Sequence, residues 1–267
     1  MTRIEEKFKE LKKKNKAALV TYVTAGDPSL EATLEILLRL EENGADIIEL
    51  GIPFSDPMAD GPIIQAASER ALRSGTTLHG VLDLVQKFRS YSNLPLILFG
   101  YYNPFFSYGV EEFSKDAREA GTDGVLVVDL PPEEADEIKE KIDKAGLNMI
   151  FLLAPTSTEE RIKLVAKKAS GFVYLVSVTG VTGIRPDMDY SLESLVSNIR
   201  RNTNLPVGIG FGVSKPEQAE RIAKFADAVV VGSSIVKIIE GWGNGSRKAI
   251  RDMSHFVKRL TEACKRE

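Results

Sequence analysis

Short apolar runs alternate with longer amphipathic stretches along almost the whole chain. The apolar runs fall at 18–23, 47–51, 96–100, 125–128, 149–153, 172–177, 207–210 and 228–231, each about the length of a buried strand. Between them, apolar residues recur at helical spacing near 30–42, 63–74, 78–90, 110–120, 133–145, 158–169, 192–200 and 216–225. A further amphipathic stretch, 4–14, sets Ile4, Phe8 and Leu11 on one face ahead of the first strand, as a plug or cap would. The tripeptides Gly44-Ala45-Asp46, Gly121-Thr122-Asp123 and Phe225-Ala226-Asp227 each close a helix and lead into an apolar strand, so the β-α unit repeats. Eight strands, most of them apolar on both faces, predict a parallel sheet closed into a (β/α)8 TIM barrel. An extra N-terminal helix and extra helices in the loops after strands 2 and 8 complete the expected fold. An open doubly wound sheet is the rival, but no G-x-G-x-x-G follows the first strand. No Pro/Gly/Ser-rich linker divides residues 1–267, so one domain is expected.

The second strand, Ile47-Ile48-Glu49-Leu50-Gly51, changes this from a fold argument into a chemical one. With a period of two, Ile47, Glu49 and Gly51 share one face and Ile48 and Leu50 the other. One face of a core strand therefore carries a carboxyl group. A solitary buried carboxyl raises its own pKa and holds a proton, which suits a general acid or base. Glu49 could instead be a core carboxylate paired with Lys or Arg, yet strands 2 to 5 contain neither. Asp60, in the Met58-Ala59-Asp60-Gly61 turn that follows, supplies a second carboxylate, though Asp is also an ordinary turn former.

Composition narrows the class. The 267 residues carry 35 Lys plus Arg against 38 Asp plus Glu, and the basic residues are scattered apart from Lys12-Lys13-Lys14. Nothing here asks for nucleic acid. The single Cys264 gives no disulfide frame and no cysteine metal site, and no metal ligand set is expected. His79 and His255 both fall in helical contexts, so histidine catalysis is not expected. No secretory leader and no apolar run of membrane-spanning length is seen, which points to a cytoplasmic protein.

Glycines cluster where such a barrel holds anions. Gly208-Ile209-Gly210-Phe211-Gly212 ends strand 7, Gly232-Ser233-Ser234 follows strand 8 and opens a helix, and Thr179-Gly180-Val181-Thr182-Gly183 follows strand 6. Any one of them could be a plain tight turn. Three at adjacent strands favour a phosphate, because glycine lets backbone N–H groups approach an anion and a helix start adds free donors.

TYVTAGDPS after strand 1, ELGIPFSDPMADGPIIQ after strand 2, YYNPFF after strand 3, GVTG after strand 6, GIGFGVS after strand 7 and VGSSIVKII after strand 8 together resemble the tryptophan synthase alpha subunit. The match runs nearly end to end, and ELGIPFSDP is long and specific. The resemblance implies retro-aldol cleavage of indole-3-glycerol phosphate to indole and glyceraldehyde 3-phosphate, in L-tryptophan biosynthesis. It implies Glu49 as acid/base and Asp60 as the stabiliser of charge at the indole nitrogen. It places Tyr22, Ile64, Leu98, Leu126, Tyr174, Thr182 and Phe211 around the indole, and Gly183, Gly212, Gly232 and Ser233 around the phosphate. It further implies a beta subunit as partner in an alpha2-beta2 heterotetramer, met by Asp56, Pro57, Asn103, Pro104 and Phe106. No cofactor is expected in this chain; pyridoxal phosphate belongs to the partner. Tyr22 departs from the family's usual Phe, and Met58 from a common Leu.

Overall fold

The computed structural model describes residues 1–177, 186–210, 212–242 and 247–266, without the side chains of 186–191 and 247. Eight parallel strands close into a barrel in chain order: β1 (Ala18–Thr24), β2 (Ile47–Gly51), β3 (Leu96–Gly100), β4 (Gly124–Val127), β5 (Asn148–Leu153), β6 (Val173–Val176), β7 (Val207–Gly210) and β8 (Ala228–Val231). The barrel closes where Ala18 of β1 pairs with Ala228 of β8. Predicted and observed bounds coincide for β2, β3, β7 and β8, differ by one residue at one end for β1 and β5, and by one residue at both ends for β4 and β6, where pairing rather than polarity sets the limit.

Before the barrel lies α1 (Arg3–Lys13). The other helices cover its outside: α2 (Leu30–Glu42), α3 (Pro62–Arg73), α4 (Leu78–Arg89), α5 (Tyr102–Tyr108), α6 (Val110–Ala120), α7 (Asp136–Lys144), α8 (Glu159–Lys168), α9 (Pro186–Asn202), α10 (Pro216–Ala223), α11 (Ser233–Glu240) and α12 (Arg247–Ala263). The extra helices expected after strands 2 and 8 are α3 beside α4 and α11 beside α12. The α5 helix is one the sequence pattern did not predict. It is short, no side chain caps its start, and Pro104 lies in its first turn, where no backbone donor is needed.

Two layers share the apolar residues. Inside the barrel, Val20, Ile47, Ile97, Leu126, Ile150, Phe172, Tyr174, Ala228 and Val230 pack with Ile4, Phe8 and Leu11 of α1. The Phe8 and Phe172 rings lie 5.7 Å apart, so α1 plugs the N-terminal mouth. A Thr2–Glu5 capping box starts that helix. Between barrel and helices lies a larger core that includes Leu19, Ile48, Leu50, Leu96 and Leu98.

The three repeated Gly/Ala-Asp turns share one device at the bottom of the barrel. Asp46, just before β2, accepts the Leu19 N–H of β1 at 2.9 Å, and Lys16 donates to it at 2.8 Å. Asp123, just before β4, accepts the Leu96 N–H at 2.9 Å and ion pairs with Arg3 and Arg89. Asp227, just before β8, accepts the Val207 N–H at 3.0 Å, with Arg200 at 2.9 Å. Each aspartate thus satisfies a strand-end donor of its neighbour that the ladder leaves open. The internal echo in the sequence belongs to this end of the barrel, which frees the opposite end for chemistry.

Candidate active site

Strand register decides which side chains look inward. Tyr22 pairs with Glu49 and Glu49 with Ile97, so all three point into the barrel. Glu49 is only 1% exposed, and among the described residues its Oε1 has no hydrogen-bond partner. Loss of water pushes its pKa from 4.5 up to about 8. Glu49 is therefore a protonated acid at neutral pH, whose conjugate base becomes available as pH rises.

Above it, at the C-terminal end of the strands, lies a cavity of about 260 Å³. Glu49 and Asp60 both line it, with Tyr22, Phe99, Tyr174 and Ile64 among the apolar walls and Gly212, Gly232 and Ser233 at one side. No Lys, Arg or His is among the described residues that line it. Asp60 sits on the loop between β2 and α3. Burial raises its pKa from 3.8 to about 6, and the Tyr101 hydroxyl, which donates to Oδ2 at 3.1 Å, opposes that rise. The two carboxyl groups are thus poised on either side of neutral pH, one protonated and one ionised. That division is what an acid/base pair requires.

The tyrosines are held by missing side chains. A Cβ on Gly51 would lie 2.1 Å from the Tyr22 hydroxyl, and one on Gly210 would lie 2.3 Å from the Tyr174 hydroxyl. Both phenols occupy space that only glycine leaves. Tyr22 also meets Phe99 edge to face at 5.3 Å, and its hydroxyl is 3.4 Å from Thr24 Oγ1.

At the glycine side, Gly232 precedes α11 with no side chain capping the helix. The first intrahelical donors are those of Ile235 and Val236, both to the Gly232 carbonyl. The N–H groups of the two serines before them make no described backbone hydrogen bond. The Ser234 hydroxyl donates to the Val213 carbonyl at 3.0 Å, which ties α11 to the turn after β7. Gly212 in that turn has φ +80°, a conformation that favours glycine. Uncapped N–H groups at a helix start, beside a turn lined by glycine, are donors of the kind that can hold an anion.

The structure thus brings together Tyr22, Glu49, Asp60, Ile64, Tyr174, Gly212, Gly232 and Ser233. Thr182, Gly183 and Phe211 lie outside the described residues. Leu126 faces the barrel interior but is not among the cavity walls. Leu98 is a correction: it pairs with Leu50 and belongs to the layer beneath the helices, while Phe99, the next residue, lines the cavity. Neither Phe99 nor Tyr101 was singled out from the sequence. Strand β3 reads Leu-Ile-Leu-Phe-Gly, apolar on both faces, so only its register with Glu49 reveals which residues turn inward.

Outside the cavity, the Ala59 N–H donates to the Tyr101 hydroxyl at 2.9 Å and draws the loop after β2 against α5. Asp56 and Asn103 are exposed there, Pro57 and Pro104 half-buried. Met58 and Phe106 are large apolar side chains left 91% and 62% exposed. Phe105, between them in sequence, is a core residue. Among the described residues no helix is long and apolar enough to cross a membrane, and no group of three or more His, Cys, Asp or Glu could hold a metal ion.

The family model for the tryptophan synthase alpha chain matches residues 8–265. The tryptophan synthase alpha chain of Geobacter sulfurreducens is 54% identical over 263 residues, covering 98% of this chain and 99% of that one. Its counterpart from Geotalea uraniireducens is 58% identical over 240 residues, 90% of each chain. Among solved structures, tryptophan synthase subunit alpha from Legionella pneumophila superposes with a TM-score of 0.92 at 38% identity, covering 99% of this chain and 98% of that chain.

Proposed function

The chain belongs to the tryptophan synthase alpha chain family, a lyase that cleaves indole-3-glycerol phosphate in tryptophan biosynthesis, and from that premise we propose how its residues divide the reaction. Glu49 is the general acid and base, and Asp60 stabilises the charge that develops at the indole N–H. The bond between indole C3 and the glycerol chain cannot break while C3 belongs to the intact ring, because the departing electron pair has nowhere to go. Protonated Glu49 delivers its proton to C3, and the ring becomes an electron sink. Positive charge then grows at the ring nitrogen, where ionised Asp60 accepts the N–H. The Glu49 carboxylate left behind takes the proton from the glycerol C3′ hydroxyl. That oxygen closes to the aldehyde, the C3–C3′ pair returns to the ring, and indole and glyceraldehyde 3-phosphate are the products. Proton and electrons balance, and Glu49 ends as it began.

Tyr22, Ile64, Phe99 and Tyr174 would enclose the indole. Gly212, Gly232 and Ser233, with Gly183 from the loop after β6, would hold the phosphate through backbone N–H groups. Thr182 would meet Asp60 and Phe211 would add to the pocket wall. We assign the whole chain to one domain and to the cytoplasm. The partner would be a beta subunit in an alpha2-beta2 assembly, with pyridoxal phosphate confined to the beta chain. Met58 and Phe106, exposed beside Asp56, Pro57, Asn103 and Pro104, support a docking face there.

The observation that carries this reading is the buried Glu49 carboxyl, its Oε1 without a hydrogen-bond partner among the described residues, facing the same cavity as Asp60. The test is the pH dependence of kcat/KM for indole release. A protonated Glu49 and an ionised Asp60 predict a bell with limbs near about 6 and about 8. Asp60→Asn should abolish most activity together with the acidic limb. A flat profile between pH 5 and 9 would remove both assignments.

A further inference from the structure

Tyr101 immediately follows β3 and is the residue from which α5 starts. Its ring is buried and packs on Phe54 at 5.2 Å. Its hydroxyl has two partners on consecutive residues of one loop: it accepts the Ala59 N–H at 2.9 Å and donates to Asp60 Oδ2 at 3.1 Å. A phenol has one proton to give. With the backbone donor already directed at the oxygen, that proton is committed to the carboxylate. We propose that Tyr101 is the positioning residue for Asp60: one hydroxyl on the rigid barrel fixes both the backbone of the loop and the aim of its carboxylate.

The inference rests on the reading of Asp60 as the stabiliser of ring charge, and it explains how a loop residue acquires the precision of a strand residue. A carboxylate on a loop held only by its own backbone samples several orientations, and electrostatic stabilisation falls when the group must reorganise during the reaction. The Tyr101 donor also favours the ionised form of Asp60 over the protonated one, opposing burial. Among the described residues, the titratable groups sharing that cavity are Glu49 of β2, Tyr22 of β1 and Tyr174 of β6, none of them cationic. Among the described residues, the Tyr101 hydroxyl is thus the group that works to keep Asp60 charged. The same residue also joins the loop to α5, which carries the exposed Phe106. Pressure on either segment from a docked partner would reach Asp60 through this one side chain.

The test compares wild type, Tyr101→Phe and Asp60→Asn in the purified full chain. Carboxyl-13C aspartate labelling, with the Asp60 signal assigned by its loss in Asp60→Asn, reads the titration of Asp60 without substrate. The pH profile of kcat/KM reads its catalytic consequence. Tyr101→Phe should raise the Asp60 midpoint and the acidic limb together by about one pH unit, as loss of a hydrogen bond to a charged group implies. Activity on the plateau should fall about tenfold, mainly in kcat. Site-specific 3-fluorotyrosine at 101, a stronger donor that preserves packing, should move both midpoints the other way, which keeps the idea testable if the Phe variant folds poorly. Unmoved midpoints in both substitutions would overturn the role of Tyr101. Full activity in Asp60→Asn would instead overturn the reading of Asp60, whatever the titrations show.

Discussion

Glu49→Gln should change stability as well as activity, in a way that depends on pH. In the unfolded chain Glu49 ionises near 4.5; in the folded chain burial holds its proton until about pH 8. The gap is worth about 5 kcal/mol at full ionisation. Below pH 4.5 the residue is protonated in both states, and its ionisation does not oppose folding. Between 4.5 and about 8 the unfolded chain releases the proton while the folded chain keeps it, so stability falls as pH rises, by up to about 1.4 kcal/mol per pH unit. Above about 8 the full penalty is present. Integration from pH 5 to pH 8 leaves about 3 to 4 kcal/mol charged to Glu49. Glutamine fills nearly the same volume and cannot ionise, so its own burial penalty is the same at both pH values. Urea unfolding of wild type and variant, followed by far-UV circular dichroism at pH 5 and pH 8, isolates the effect, since all other titrating groups are common to both proteins. The stability of the variant relative to wild type should rise by about 3 kcal/mol between the two pH values. A relative stability that stays constant within about half a kcal/mol would show that Glu49 titrates in the fold as it does in water, and one that falls would show that its pKa is lowered on folding. The acid would then lack its physical basis.

Further predictions separate cavity from core. Leu98→Ala should destabilise the protein by about 2 to 5 kcal/mol and leave KM of the folded enzyme near wild type, because Leu98 packs under the helices; Phe99→Ala should raise KM several-fold. The reverse pattern in steady-state kinetics and denaturant titrations would reject the register argument. Gly51→Ala and Gly210→Ala should each cost about 1 to 3 kcal/mol and displace Tyr22 or Tyr174 into the cavity, lowering kcat/KM; a crystal structure with unmoved rings would contradict this. Gly212→Val forces a branched side chain on a φ of +80° and should weaken binding of inorganic phosphate or a glycerol phosphate, measured calorimetrically, more than it weakens binding of indole.

Much of the architecture is legible in the residues because strands and helices differ in period, and the eight apolar runs lie near the eight observed strands. The chemistry of β2 is legible for the same reason, since a carboxyl amid Ile47, Ile48 and Leu50 stands out. Two features are not. Strand β3 is apolar on both faces, so hydrophobicity cannot separate Leu98 from Phe99; the pairing of Glu49 with Ile97 does. The role of Tyr101 depends on a contact across 41 residues of sequence, and nothing local to YYNPFF announces it. The α5 helix escaped notice because a seven-residue segment with Pro in its first turn carries too short a period to read.

The central claim is that Glu49 supplies the proton that lets the carbon–carbon bond break. Its most direct test is indole release from indole-3-glycerol phosphate by the purified chain, wild type beside Glu49→Gln, each with and without an added beta subunit. Slow cleavage by wild type, accelerated by the partner and lost in the Gln variant under both conditions, is the predicted result. Comparable indole release by the Gln variant would contradict it, placing the acid elsewhere in the cavity.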